Sequence, residues 1–80
     1  MKVRVTITLK AGVLDPQGKA IEGALRGLGF AGIDGARQGK IIDLSLAETN
    51  PDKARTAVAD MCDKLLANTV IENYDIAILG

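Results

Sequence analysis

The sequence predicts an α+β fold in which strands and helices follow in the order β-α-β-β-α-β. Residues 2–10 alternate strictly between polar and apolar side chains, which is the period of a half-buried strand. The pairs Asp15-Pro16 and Asn50-Pro51 each precede an apolar stripe of helical spacing. An Asx residue before proline is typical of a helix N-cap followed by proline at the first helical position. These observations predict two helices, each preceded by a strand.

The first half of the chain predicts a strand and then a helix. The strand residues that share its apolar face are Val3, Val5, Ile7 and Leu9. The helix is expected over roughly residues 16–28, with Gly29 as its left-handed terminator. Its apolar stripe consists of Ala20, Ile21, Ala24, Leu25 and Leu28. Gly23 and Gly27 inside the helix indicate close packing, either on the sheet of the same chain or against another chain.

The second half predicts a hairpin, a helix and a last strand. Residues 33–38 alternate poorly and predict a weak strand, with a turn near Gln38-Gly39-Lys40 and a stronger strand over residues 41–46. The second helix follows Asn50, and its apolar stripe consists of Ala54, Ala57, Val58, Met61, Cys62, Leu65 and Leu66. Asn68 is expected to follow its end, and the last strand lies near residues 74–79.

Six elements in this order are typical of the ferredoxin-like fold, a four-stranded antiparallel sheet with two helices on one face. We expect residues 1–80 to form a single domain. Such a sheet leaves its second face uncovered, here with Lys2, Arg4, Thr6, Thr8, Ile41, Asp43, Ser45, Asp75, Ala77 and Leu79. This mixture of polar and apolar side chains suits the packing of another subunit. A chain this short buries only about 60% of its unfolded surface, so we expect oligomerisation.

The composition argues against several classes of function. With no histidine and one cysteine, the chain has no expected catalytic residue and no expected metal site. Cys62 is expected to be a buried core thiol. Ten basic and ten acidic residues, interspersed along the chain, argue against nucleic-acid binding. No apolar run is long enough to span a membrane, and we expect a soluble, cytoplasmic protein.

Five residues are candidates for contact with a partner: Asp15, Gln17, Lys19, Arg37 and Tyr74. Asp15 is explained as a helix cap, and as a site residue it would share its loop with Gln17 and Lys19. Arg37 is expected to be solvated, with contact to a partner as the alternative. Tyr74 is expected to cover the edge of the core rather than to touch a ligand.

Several segments, taken in order over nearly the whole chain, have a distinctive sequence. They are residues 14–25 (LDPQGKAIEGAL), Leu28-Gly29-Phe30, Arg37 with Gly39-Lys40, residues 61–68 (MCDKLLAN) and residues 70–74 (VIENY). Together they resemble the PurS family, the small subunit of phosphoribosylformylglycinamidine synthase. The chain departs from the family pattern at Thr69, at Asn73 and over residues 34–36. These departures leave open the loop before the last strand and the register of the strand at residues 33–38.

The resemblance implies a non-catalytic subunit of a purine-biosynthetic enzyme. It implies a homodimer or tetramer that holds a glutaminase subunit and a large synthetase subunit together and assists ammonia passage between them. The complex would use glutamine, ATP and Mg²⁺, none of which this chain would bind. The alternative is a regulatory module that senses a small molecule, and this alternative rests on fold analogy alone.

Overall fold

The computed structural model describes all residues, 1–80, and contains three strands and two α-helices. In chain order they are β1 (Lys2–Leu9), α1 (Pro16–Gly27), β2 (Gly39–Ser45), α2 (Pro51–Met61) and β3 (Glu72–Ile78). A π-helical turn, Cys62–Leu66, continues directly from α2. No helix is both long and apolar enough to cross a bilayer.

The sheet is antiparallel, with β1 in the centre between β2 and β3. Val5 lies opposite Ile42 of β2 and Ile76 of β3, so the apolar positions of all three strands share one face. Because strand side chains alternate, the neighbouring polar positions share the opposite face. This confirms the two faces that alternation predicts.

Helix α2 covers the apolar face of the sheet. Val58 and Cys62 are buried there among the β1 side chains. Arg55 on the flank of α2 donates to the carbonyl oxygen of Ile76 in β3 at 3.1 Å, which places the helix over β1 and β3. Asn50 caps α2 as expected, because its side chain accepts from the amides of Asp52 and Lys53.

The predicted four-stranded sheet is wrong, because residues 33–38 form no strand. The expected turn at residues 38–40 is also absent, and β2 begins directly at Gly39. The amide of Gln38 donates to the carboxylate of Asp15 at 2.7 Å, and Arg37 donates to the carbonyl oxygen of Val13 at 2.8 Å. These bonds hold the segment beside the start of α1, where it pairs with no strand.

The prediction of two helices on one face of the sheet is likewise wrong. No residue of α1 belongs to the core cluster, and Ala20, Ile21 and Ala24 of its apolar stripe are exposed, so α1 does not cover the sheet. The molecule measures 49 × 26 × 15 Å, with a radius of gyration of 16.0 Å. A compact chain of this length has a radius of gyration of about 12 Å. The element order of a ferredoxin-like fold is therefore kept in part, without its fourth strand and without its first helix on the sheet.

Candidate functional site

Residues 28–38, which we call the return segment, run back along α1 from its C-terminal end to its N-terminal end. Gly29 has φ of 94°, so it is the left-handed terminator that the sequence predicts. Near this end the Arg26 guanidinium donates to the carbonyl oxygen of Ile33 at 2.7 Å. Near the other end Gly18 faces the carbonyl group of Ala36 so closely that a Cβ on residue 18 would collide with it. We call α1 together with the return segment the arm.

Asp15 fixes the base of the arm. Its Oδ1 accepts from the amide of Gly18 at 2.9 Å, which is the predicted helix cap, and its Oδ2 accepts from the amide of Gln38 at 2.7 Å. The side chain is buried, with 5% exposed. The hydrogen bond from Gln38, and then that from Gly18, lowers the pKa of the Asp15 carboxyl. One carboxylate therefore joins two backbone segments that are distant in sequence.

Arg37 holds the same base from the other side. Its guanidinium donates to the carbonyl oxygens of Val13 at 2.8 Å and of Lys10 at 3.0 Å. Arg37 is exposed, as expected, and its guanidinium also binds the connection between β1 and α1. Asp15 and Arg37 together fix the direction in which the arm leaves the sheet.

Glu22 is a buried acid that the sequence analysis missed. It is 6% exposed and lies 2.7 Å from Arg26 Nη2 and 3.7 Å from Lys19 Nζ. The hydrogen bond from Arg26 lowers the pKa of the Glu22 carboxyl. The i,i+3 and i,i+4 spacing of these residues predicts such pairs, but only the return segment explains why the acid is buried.

The apolar stripe of α1 faces away from its own chain. Ala20, Ile21, Ala24 and Leu28 are exposed, whereas Gly18 and Glu22 on the other side are buried against the return segment. A Cβ built on Gly23 or Gly27 would meet no atom within 4 Å, so these glycines are not explained by packing on their own sheet. An amphipathic helix with its polar side inward and its apolar side outward presents a binding surface.

A cleft of about 420 Å³ opens between the base of the arm and the end of the sheet. Ile7 and Leu9 form its apolar part, and Gln17, Lys40 and Glu72 are among its polar residues. Lys40 Nζ lies 4.0 Å from a carboxylate oxygen of Glu72. Lys40 and Glu72 offset each other, and the third charged residue of the cleft, Asp15, already accepts from the amides of Gly18 and Gln38.

The second face of the sheet, which we call the open face, has no helix on it. Arg4 and Asp43 on neighbouring strands form a bidentate ion pair there, with distances of 2.8 and 3.2 Å. Ile41 beside them is 61% exposed. The Arg4 hydrogen bond lowers the pKa of the Asp43 carboxyl, and the pair itself is solvated. The open face is therefore semi-polar, as the sequence predicts.

Tyr74 and Cys62 lie on the opposite face, near the end of α2. The Tyr74 hydroxyl donates to Asp63 at 3.2 Å, and burial followed by the Asp63 charge raises the pKa of that hydroxyl. Burial raises the pKa of the Cys62 thiol, which suits the expected core residue and not a nucleophile. No cluster of three or more potential metal-binding side chains occurs.

The structure brings four of the five candidate contact residues together. Asp15, Gln17, Lys19 and Arg37 all lie at the base of the arm, with Gln17 and Lys19 exposed. Tyr74 lies apart from them on β3. Asp15, Arg37 and Tyr74 are each engaged in hydrogen bonds within their own chain.

Comparison with known proteins gives one consistent result. A family profile described as PurS, phosphoribosylformylglycinamidine (FGAM) synthase, matches residues 2–80. The chain is 46% identical to the PurS subunit of this synthase from Synechocystis sp. over 71 residues, which cover 89% of this chain and 71% of the relative.

Solved structures agree with this. The crystal structure of Methanocaldococcus jannaschii PurS, one of the subunits of formylglycinamide ribonucleotide amidotransferase, aligns with a TM-score of 0.86 and 45% identity over 95% of this chain and 92% of that one. A chain in the structure of PurLQS from Thermotoga maritima aligns with a TM-score of 0.85 and 33% identity over 95% and 93% of the two chains.

Proposed function

The chain belongs to the PurS family and is a subunit of phosphoribosylformylglycinamidine synthase, and we propose that it serves this enzyme by holding the other subunits together. The proposed partners are a large synthetase subunit, a glutaminase subunit and further copies of this chain as a homodimer or tetramer. A chain of similar fold and sequence occurs in the PurLQS structure, which supports the association with other subunits. We treat residues 1–80 as one domain, since the family match spans 2–80.

The observation that carries the proposal is how little of this chain is buried. Only 10 of 80 residues are buried, although nearly half of the residues are hydrophobic, so much apolar surface is left for protein contacts. The exposed large apolar side chains lie on the arm, on the open face and around the π-helical turn, and they include Leu28, Ile41 and Leu65. A subunit that binds several partners at once requires several such surfaces.

We assign the open face to the catalytic subunits. Interfaces between subunits that also exist apart are about as polar as ordinary protein surface, whereas obligate homodimers bury more apolar area. The open face has the Arg4–Asp43 pair beside exposed Ile41 and Leu79, so it resembles an interface between subunits that also exist apart. Among the candidate contact residues, Gln17 and Lys19 are proposed to touch a partner directly. Asp15, Arg37 and Tyr74 are proposed to act by positioning their own backbone.

We propose that the partner subunits carry out the catalytic steps. ATP, Mg²⁺ and glutamine would be bound by the synthetase and glutaminase subunits, and this chain would assist ammonia passage by keeping the two aligned. The chain has no histidine, and its only cysteine is buried with a raised thiol pKa. Both observations support the proposal of a non-catalytic subunit. With ten acidic and ten basic residues and these partners, we propose a cytoplasmic location.

The test is to co-purify the chain with the synthetase and glutaminase subunits and to measure glutamine-dependent amidine formation. We expect Ile41→Asp on the open face to weaken retention of the catalytic subunits and to raise the ratio of glutamate released to amidine formed. Lys53→Asp is the control, because Lys53 is exposed in the first turn of α2, on the opposite side of the sheet, and belongs to none of these apolar surfaces. A complex that assembles and couples both reactions equally well without this chain contradicts the proposal.

A further inference from the structure

We propose that the Asp34-Gly35 bond of the return segment is a site of spontaneous isoaspartate formation, and that the modified chain is a substrate for a methyltransferase that recognises the free α-carboxylate of isoaspartate. The site lies in the arm, away from the open face. The inference does not depend on the proposed function, because it follows from the chemistry of one dipeptide and from the way in which the fold holds the segment around it.

The reaction needs an aspartate side chain and the backbone amide of the next residue. The amide nitrogen of Gly35 attacks Cγ of the protonated Asp34 carboxyl group, one water leaves, and a cyclic succinimide forms. Water then opens the ring at either of its carbonyl groups. Attack at Cγ restores aspartate, whereas attack at the main-chain carbonyl carbon of Asp34 breaks the bond from this carbon to Gly35, and the chain then continues through Cγ. The composition of the protein is unchanged, and the product carries a free α-carboxylate.

Asp34 is the one aspartate or asparagine of the chain that glycine follows. Glycine has no Cβ to crowd the attacking nitrogen, and it adopts backbone conformations that other residues avoid. Asp15 and Asn50 precede proline, which has no N–H with which to close the ring. The remaining ones precede residues with side chains, and all but Asn68 lie in a strand or a helical element. Asn68 precedes a β-branched residue, and its side-chain oxygen accepts from the amide of Val70 at 3.2 Å.

Both reacting groups are free in the fold. Asp34 and Gly35 are exposed and lie outside every helix and strand. The Asp34 carboxylate forms no ion pair, and the Gly35 amide donates to no backbone oxygen. A Cβ built on Gly35 would meet no atom within 4 Å, so no neighbour crowds this residue. The amide can therefore turn toward the carboxyl group without breaking a hydrogen bond, and the local motion costs little free energy.

The residues on either side of this bond are held in place. The carbonyl oxygen of Ile33 accepts from the Arg26 guanidinium at 2.7 Å, and the carbonyl group of Ala36 lies against Gly18. An isoaspartyl linkage adds one carbon to the main chain and lengthens it by about 1.5 Å. Only two residues separate these anchors, so the added length displaces one of them. We therefore expect isomerisation to loosen the return segment from α1.

The product has the chemistry of a repair substrate. A methyltransferase of this kind transfers a methyl group from S-adenosylmethionine to the free α-carboxylate and releases S-adenosylhomocysteine. The methyl ester then loses methanol as the succinimide forms again, and part of the ring opens to aspartate. An enzyme can reach this carboxylate only on exposed backbone, and residues 34–35 are exposed.

The first experiment ages the purified full-length chain at physiological temperature and pH. Isoaspartate is counted by the methyl groups that a purified L-isoaspartyl methyltransferase transfers from labelled S-adenosylmethionine. We expect methyl acceptance to rise with time in the natural chain, to rise several-fold more slowly in Gly35→Ala, and to be absent in Asp34→Glu, whose longer side chain does not form the succinimide. Both substitutions lie at exposed positions outside the core, so we expect the variants to fold.

Tryptic digestion locates the modification. Trypsin cuts after Arg26 and Arg37 and releases residues 27–37, in which Asp34 is the only aspartate or asparagine. We expect this peptide to give a second chromatographic peak of unchanged mass in the aged natural chain. In the modified chain the amides of Gly18 and Gln38, which both donate to Asp15, should exchange hydrogen faster than in aged Asp34→Glu.

A synthetic peptide of residues 27–37 separates the effect of the fold from that of the dipeptide. Because the fold leaves both reacting groups free, we expect the folded chain to isomerise at a rate similar to that of the peptide. A folded chain that gains no methyl acceptor while the peptide does, or one whose acceptor lies in another tryptic peptide, overturns the proposal. These measurements use the chain alone, so their failure leaves the co-purification result unchanged, and a failed co-purification leaves the modification site unchanged.

Discussion

Two glycines of the same helix, Gly18 and Gly23, should respond in opposite ways to the same substitution. Replacing an interior helix glycine by alanine raises the free energy of unfolding by about 0.5–1 kcal/mol, because alanine loses less conformational entropy on folding. At Gly23 nothing lies within 4 Å of the added Cβ, so Gly23→Ala should show this gain. Gly18 is in the first turn, where the gain is smaller.

At Gly18 the added Cβ meets atoms that cannot move freely. It would collide with the carbonyl oxygen of Ala36 and lie 2.9 Å from Asp15 Oδ2 and 3.0 Å from the carbonyl carbon of Ala36. The backbone there is held by the bond from the Gln38 amide to Asp15. Forcing an extra methyl group into a packed site costs about 1–3 kcal/mol. Gly18→Ala should therefore be less stable than Gly23→Ala by about 1–4 kcal/mol, which is the cost at Gly18 plus the part of the Gly23 gain that Gly18 lacks.

Urea unfolding followed by circular dichroism measures this difference. Both variants and the natural chain are compared at one low protein concentration, and again at a tenfold higher one, so that self-association can be separated from the stability of the protomer. In a thermal scan each 1 kcal/mol corresponds to roughly 4–8 °C for a domain of this size. Equal stability of the two variants would refute the close approach of the return segment to α1.

Three further predictions concern the core, the base of the arm and the thiol. Ile7 is 1% exposed, and Ile7→Val should lower the free energy of unfolding by about 0.5–1.5 kcal/mol in the same urea assay. Since the folded state lowers the pKa of Asp15, its carboxylate stabilises the fold above about pH 4, and this contribution is lost as pH falls through the lowered value. Asp15→Asn, whose single side-chain oxygen can accept from only one of Gly18 and Gln38, should be less stable than the natural chain at pH 7, with the difference shrinking below about pH 4. Cys62 should react with a thiol reagent only as fast as the protein unfolds, so labelling of the folded chain at a fast, urea-independent rate would contradict its burial.

Sequence patterns that involve residues close together in the chain predicted the local structure correctly. The Asx-Pro pairs cap both helices, Gly29 takes the left-handed conformation, and the alternating residues of β1 divide between the two faces of the sheet. Cys62 lies in the core as its place on the helical stripe indicates. Each of these features depends on residues within about four positions of one another, where steric and hydrogen-bonding rules act directly.

The errors concern contacts between distant segments. Asp15 caps α1 as predicted, but nothing local indicates that its second oxygen binds the amide of Gln38, 23 positions away. It holds Gln38 beside the start of α1, and residues 33–38 pair with no strand. The apolar stripe of α1 predicts that the helix buries this side, but an amphipathic pattern does not say against which chain. The candidate contacts Gln17 and Lys19 remain predictions until a complex is measured.

The order of strands in the sheet has a consequence for synthesis on the ribosome. The central strand β1 is made first, and its last pairing partner, β3, ends at Ile78. At translation rates of 5–20 residues per second, the span from Leu9 to Ile78 takes roughly 3–14 s. Throughout that time a nascent strand rich in valine and isoleucine has at least one unpaired edge, which is a site for aggregation. Sheets closed by such distant pairings also fold slowly, so a cell that makes this chain in quantity needs to shield its first ten residues until the last strand emerges.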